Sequence, residues 1–67
     1  MVIVNVNQIK LLMMERQLSA KELAEKVGIS NSGLSTIFKR NRANYKNVGK
    51  IASVLDVPLS KLFLKES

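Results

Sequence analysis

The 67 residues contain neither histidine nor cysteine, so the commonest general base and the strongest side-chain nucleophile are missing. Disulfides and thiolate metal sites are excluded with them. The acids are Glu15, Glu22, Glu25, Asp56 and Glu66. Only Glu22 and Glu25 are close together, three apart on an expected helix, and each has lysine neighbours. They read as solvated surface acids rather than an acid/base pair. No enzyme is expected from such a set, and no metal, cofactor or small-molecule ligand.

What the chain does carry is positive charge, with eleven Lys+Arg and a net charge of +6. From Lys26 to Leu55 the charged residues are Lys26, Lys39, Arg40, Arg42, Lys46 and Lys50, with no acid among them. The other five bases and all five acids lie outside and cancel, so the whole excess belongs to that window. Random scattering would keep every acid out of it about one time in twenty. A phosphate backbone is attracted to a field of this kind, although a positive surface that merely aids solubility has the same composition.

The length fits a single domain, 1–67, and 46% hydrophobic residues are too many for a disordered chain. The longest apolar run, Leu11 to Met14, is far short of a membrane span, and residues 1–7 lack the pattern of a secretory signal. A cytoplasmic protein is expected.

Residues 2–6 alternate, with Val2, Val4 and Val6 in step, which predicts a short strand. A lone strand needs a partner, and no second strand pattern is visible. The same segment of another copy is therefore the expected partner, paired antiparallel, which makes Val2, Val4 and Val6 candidate dimerisation residues. The competing readings are an extended arm over one side of the core and a dimer interface on the last expected helix, around Leu59, Leu62 and Phe63, or Leu64.

Five helices are expected after it. Asn7 is positioned to cap the first, whose apolar face is Ile9, Leu12 and Met13. Ser19-Ala20-Lys21-Glu22 is a capping box that opens a second, with Ala20, Leu23, Ala24 and Val27 on one face. Gly28 suits a left-handed C-cap, and Ser30 caps a third helix that buries Leu34, Ile37 and Phe38. Asn44 heads a fourth, with Val48, Ile51, Ala52 and Leu55 at amphipathic spacing. Pro58 ends that stretch, and Leu59, Leu62 and Phe63 would face the core from a fifth.

Helix, glycine turn, helix is a helix-turn-helix arrangement. Ala24 lets the two helices approach, Gly28 permits the turn, and Ile29, Leu34 and Ile37 wedge one helix across the other. With these residues, and with N-Y-K-N-V-G-K-I-A-S-V-L-D-V-P-L-S-K-L-F after them, the chain resembles the lambda-repressor-like (Cro/repressor, XRE) helix-turn-helix family over about residues 7–64. The resemblance implies an all-α, compact five-helix domain, here with a short N-terminal strand. It also implies that the third helix enters the major groove of double-stranded DNA. Carried over position by position, the base-contacting residues are Asn31, Ser32 and Thr36. Asn31 suits an adenine edge; Thr36 suits a thymine methyl or a single hydrogen bond. Phosphate contacts fall to Ser19, Ala20 and Lys21 at the start of the second helix. After the third helix they fall to Lys39, Arg40, Asn41, Arg42, Asn44 and Lys46.

The sequence departs from the family at two places. Members often pair a basic residue in the first helix with a glutamate at the end of the third; here Met13 and Phe38 stand there, so packing replaces the ion pair. The usual Asn-Gly after the third helix is Lys39-Arg40, so that helix is expected to run on to Asn41, which tolerates a left-handed conformation. Gly33, inside the reading helix, costs about 1 kcal/mol of helix propensity. Function then reads as a dimeric, sequence-specific transcription regulator, a repressor of bacterial or phage type on a near-palindromic operator. The alternatives are a protein-interaction module on the same fold, an anti-repressor or antitoxin component, and a nonspecific nucleoid-type protein.

Overall fold

The computed structural model describes residues 1–66. Four helices and a small antiparallel sheet follow one another as β1 (Val2–Val4), α1 (Val6–Glu15), α2 (Ala20–Val27), α3 (Asn31–Arg40), β2 (Arg42–Ala43), α4 (Tyr45–Leu55), a 3-10 turn (Leu59–Lys61) and β3 (Phe63–Glu66). The apolar faces read for the first four helices meet in one core, except that Ala20, expected on the face of the second, lies in its first turn and is exposed. Ile9, Leu23, Ile51, Leu55 and Leu62 are fully buried, and no polar or charged side chain among the described residues is buried with them.

The helix ends are built from local chemistry. Ser19 Oγ accepts from the Glu22 amide at 3.1 Å while Glu22 Oε1 accepts from the Ser19 amide at 3.0 Å, the reciprocal capping box. Asn44 Oδ1 accepts from the Asn47 amide at 2.8 Å and starts α4. Gly28 (φ 86°), Asn41 (φ 57°) and Asp56 (φ 56°) are left-handed C-caps of α2, α3 and α4. Asn41 thus takes the place expected of it, one residue beyond Arg40.

Three expectations are corrected. First, α1 begins at Val6 rather than after Asn7, with Asn5 as its cap, its Oδ1 accepting from the Gln8 amide at 3.1 Å. Val6 is apolar and buried, so the core draws it into the helix and the polar residue before it becomes the cap.

Second, β1 finds its partners within the chain. It is the middle strand of the order β2-β1-β3, antiparallel to both neighbours, with Val2 opposite Ala43 and Glu66. Both its edges are occupied, and Val2 and Val4 are 1% exposed in the chain's own core. The expected pairing of Val2, Val4 and Val6 with another copy is therefore replaced by a sheet and core of one chain.

Third, no fifth α-helix forms. A single 3-10 turn follows Pro58, and the chain then extends into β3, because β1 offers it a hydrogen-bonding edge. Of the three residues expected to face the core from that helix, only Leu62 is buried; Leu59 and Phe63 are exposed. No helix among the described residues is long and apolar enough to cross a membrane.

Candidate nucleic-acid interface

Helix α3, expected to be the reading helix, is positioned from three sides. At its start, the amides of Gly28 and Ile29 both donate to the Ala24 carbonyl, which closes the turn after α2. Ser30 caps α3, its Oγ accepting from the Gly33 amide at 3.0 Å. Along its inner face Leu34 and Ile37 are buried, and Phe38 and Ile29 pack against the core. At its end the Asn41 carbonyl accepts from the Val4 amide at 2.9 Å, and β2 follows at once alongside β1. The strand expected to join two copies instead bonds to the end of α3.

Gly33 acquires a physical reason in this setting. A Cβ there would lie 3.1 Å from Ser30 Oγ, crowding the oxygen that caps the helix.

Outward, Asn31, Ser32, Ser35, Thr36 and Lys39 are all exposed on α3, an acid-free polar face. Asn31, Ser32 and Thr36, the residues assigned to base contact, share this helix and this exposure. Two hydroxyls on the face are already bonded: Ser32 Oγ lies 3.2 Å from Ser30 Oγ, and Thr36 Oγ1 donates to the Ser32 carbonyl at 2.9 Å.

The residues assigned to phosphate are exposed as well. Lys39 and Arg40 occupy the last turn of α3, Asn41 caps it, Arg42 lies in β2, Asn44 caps α4 and Lys46 sits in its first turn. These form one continuous run, from the end of the reading helix to the next helix start. The Asn44 side chain takes the Asn47 amide, which leaves the Tyr45 and Lys46 amides without an intrahelical acceptor, and no acid lies in this turn.

The start of α2 is less open than expected. The Ser19 amide is occupied by the Glu22 carboxylate, so Ala20 and Lys21 are left to offer backbone amides there. Glu22 is held below the ordinary carboxylate range, first by its hydrogen bond from the Ser19 backbone and then by that with the Ser19 side chain. It therefore stays ionised beside Lys21.

Sequence reasoning missed Lys10. Its ammonium lies 5.6 Å from the Phe38 ring centroid, over the face of the aromatic that stands in the family's acidic position. A groove of about 410 Å³ there includes Asn7, Lys10, Phe38 and Asn41 among its lining residues. Lys10 therefore belongs beside the end of α3, although its place in the chain set it among the charges that cancel. No local pattern marked the contact, because Lys10 and Phe38 lie on different helices and meet only in the folded chain.

Comparison with known families fits this geometry. The helix-turn-helix family model HTH_3 matches residues 9–62, and the chain belongs to this family, the lambda-repressor-like (XRE) helix-turn-helix proteins. Among solved structures, the fold is similar to the solution structure of the N-terminal DNA-binding domain of SinR, the master biofilm-regulator of Bacillus subtilis. The two share 34% identity over 84% of each chain, with a TM-score of 0.68. Comparison with curated proteins gives no match.

Proposed function

We propose that this chain is a DNA-binding transcription regulator that reads sequence with α3 and acts as a dimer on a near-palindromic operator. The mechanism is occupancy: two reading helices about 34 Å apart engage successive major-groove faces and exclude polymerase. It acts in the cytoplasm, with residues 1–67 forming one helix-turn-helix domain that binds no cofactor. The observation that carries the reading is the exposed, acid-free face of α3, flanked by the basic run from Lys39 to Lys46.

With both edges of β1 occupied, the second copy is assigned to the opposite end of the sheet. Tyr45, Leu59 and Phe63 are 58%, 47% and 40% exposed around an apolar groove of about 280 Å³ floored by Val2 and Val48. Three such side chains leave on the order of 300 Å² of largely apolar surface in water, at the level that marks an interaction site on a small monomer. The groove's charged lining is one acid, Glu66, and no base, so two chains of charge +6 meet there with least repulsion.

Selection of bound DNA from a random pool tests the reading directly. A two-fold-symmetric motif is expected, with affinity falling as salt rises, at a log–log slope near −0.9 for each phosphate neutralised. Failure to bind any DNA even at low salt overturns it. The apolar groove favours a second reading, a protein-interaction module of anti-repressor or antitoxin type, which predicts that outcome. Equal enrichment of all sequences would instead mark a nonspecific nucleoid-type protein.

A further inference from the structure

Thr36 stands exposed on the reading face, yet its hydroxyl is committed: Oγ1 donates to the Ser32 carbonyl one turn back, at 2.9 Å. A hydroxyl has one proton, so this bond removes the donor and leaves the lone pairs and the γ-methyl. With the oxygen drawn against the backbone, tetrahedral geometry at Cβ turns the methyl off it. Ser32 Oγ lies 3.2 Å from the capping Ser30 Oγ, either hydroxyl being able to donate, while Ser30 Oγ also accepts from the Gly33 amide. Asn31 makes no side-chain hydrogen bond among the described residues, so its amide keeps two donors and an acceptor. The face is therefore divided into a polar reader at its first residue and an apolar one a turn and a half later.

Resting on the DNA-binding reading above, we infer that Thr36 recognises thymine through its 5-methyl group, while the hydrogen-bonding readout falls to Asn31. Thymine alone presents a methyl in the major groove. Guanine offers only acceptors at this edge, and Thr36 can donate to them only by giving up the Ser32 carbonyl. Guanine is accordingly disfavoured at this position.

The test takes the operator selected with the full chain and replaces each thymine in turn by deoxyuridine, which removes the methyl and leaves the pairing edge unchanged. One position per half-site is expected to lose about fourfold in affinity, the worth of one buried methyl. Thr36→Val, which keeps the methyl and discards the hydroxyl, should bind the thymine operator within about twofold of wild type. Thr36→Ser, which does the reverse, should lose about fourfold and become indifferent to uracil at that position.

The assignment is overturned if Thr36→Ser binds as wild type while Thr36→Val fails. It is equally overturned if an operator is found and no uracil weakens it; the DNA-binding reading then stands and only the role of Thr36 falls. If no sequence is enriched, both fall. The uracil series uses the wild-type protein, so it can overturn the assignment even where a variant folds poorly, and the loss of uracil sensitivity in Thr36→Ser ties the methyl to Thr36.

Discussion

Helices α3 and α4 are written in nearly the same local grammar and held in very different ways. Each starts at a side-chain cap, Ser30 or Asn44, and each ends on a left-handed residue, Asn41 or Asp56. Along α4, Val48, Ile51, Ala52 and Leu55 are buried; along α3 only Leu34 and Ile37 are, and Gly33 weakens it further. Burial fastens α4 into the core as scaffold. Helix α3 keeps most of its surface in water, so its ends hold it: the Ser30 cap at one and the Val4–Asn41 bond at the other. A helix that must present a face to a ligand cannot also bury that face, and its anchoring moves to its termini.

The sharpest way to break this contrast is in the core. Ile51→Ala, at a fully buried position of α4, should cost about 3–4 kcal/mol in chemical denaturation, a large part of a small domain's stability. Ser35→Ala, on the outer face of α3, should stay within about 0.5 kcal/mol. Equal effects from the two would erase the distinction between scaffold and reader.

Val4→Ala comes next, because it loosens the clamp at the end of α3. Loss of two methyl groups from a buried site should cost about 1.6 kcal/mol. Hydrogen exchange at the last turn of α3 should rise more than in α4. Uniform loss of protection would mean that β1 supports the core without fixing the helix.

The caps allow a matched test at about 1 kcal/mol each. Ser30→Ala and Asn44→Ala should destabilise comparably in thermal melts. Ser30→Ala should also weaken DNA binding at temperatures where the fold persists, since it frees the first turn of the reading helix and releases Ser32.

The smallest effect concerns pH at the start of α2. Glu22 has a lowered pKa in the fold, so its contribution is present above its ordinary value of 4.5 and fades as pH falls through the lower folded value. Glu22→Gln should lower the neutral-pH melting temperature slightly and flatten the loss of stability below pH 4.5. An unchanged acid profile would show that the capping box contributes nothing through charge.

Legibility in the sequence followed the range of the interactions involved. The Ser19–Glu22 box, the Ser30 and Asn44 caps, and the Gly28 and Asn41 turns each depend on residues within three or four positions, and all were readable. The faces of α2, α3 and α4 were readable for the same reason, since periodicity is a local property, with Ala20 in the first turn of α2 the exception, being exposed. The strands Arg42–Ala43 and Phe63–Glu66 were not, because neither alternates and both exist by pairing with β1 across the chain. At the candidate site, the exposed positions of Asn31, Ser32, Thr36 and Lys39 followed from the helical period. The capture of the Ser19 amide by Glu22 was implicit in the capping box, yet its consequence for anion binding emerged only from the geometry.

By itself, then, the sequence determined where α2, α3 and α4 begin, most of the apolar face of each, and that the acid-free charge lies around one exposed helix. These are decided by hydrogen bonds and side-chain spacing within a turn or two. Only the tertiary structure decided that the valine strand closes a sheet within one chain, that β3 replaces a fifth helix, and that Lys10 joins the end of α3. Those outcomes depend on backbone groups and side chains far apart in sequence finding one another, a pairing that no local pattern encodes.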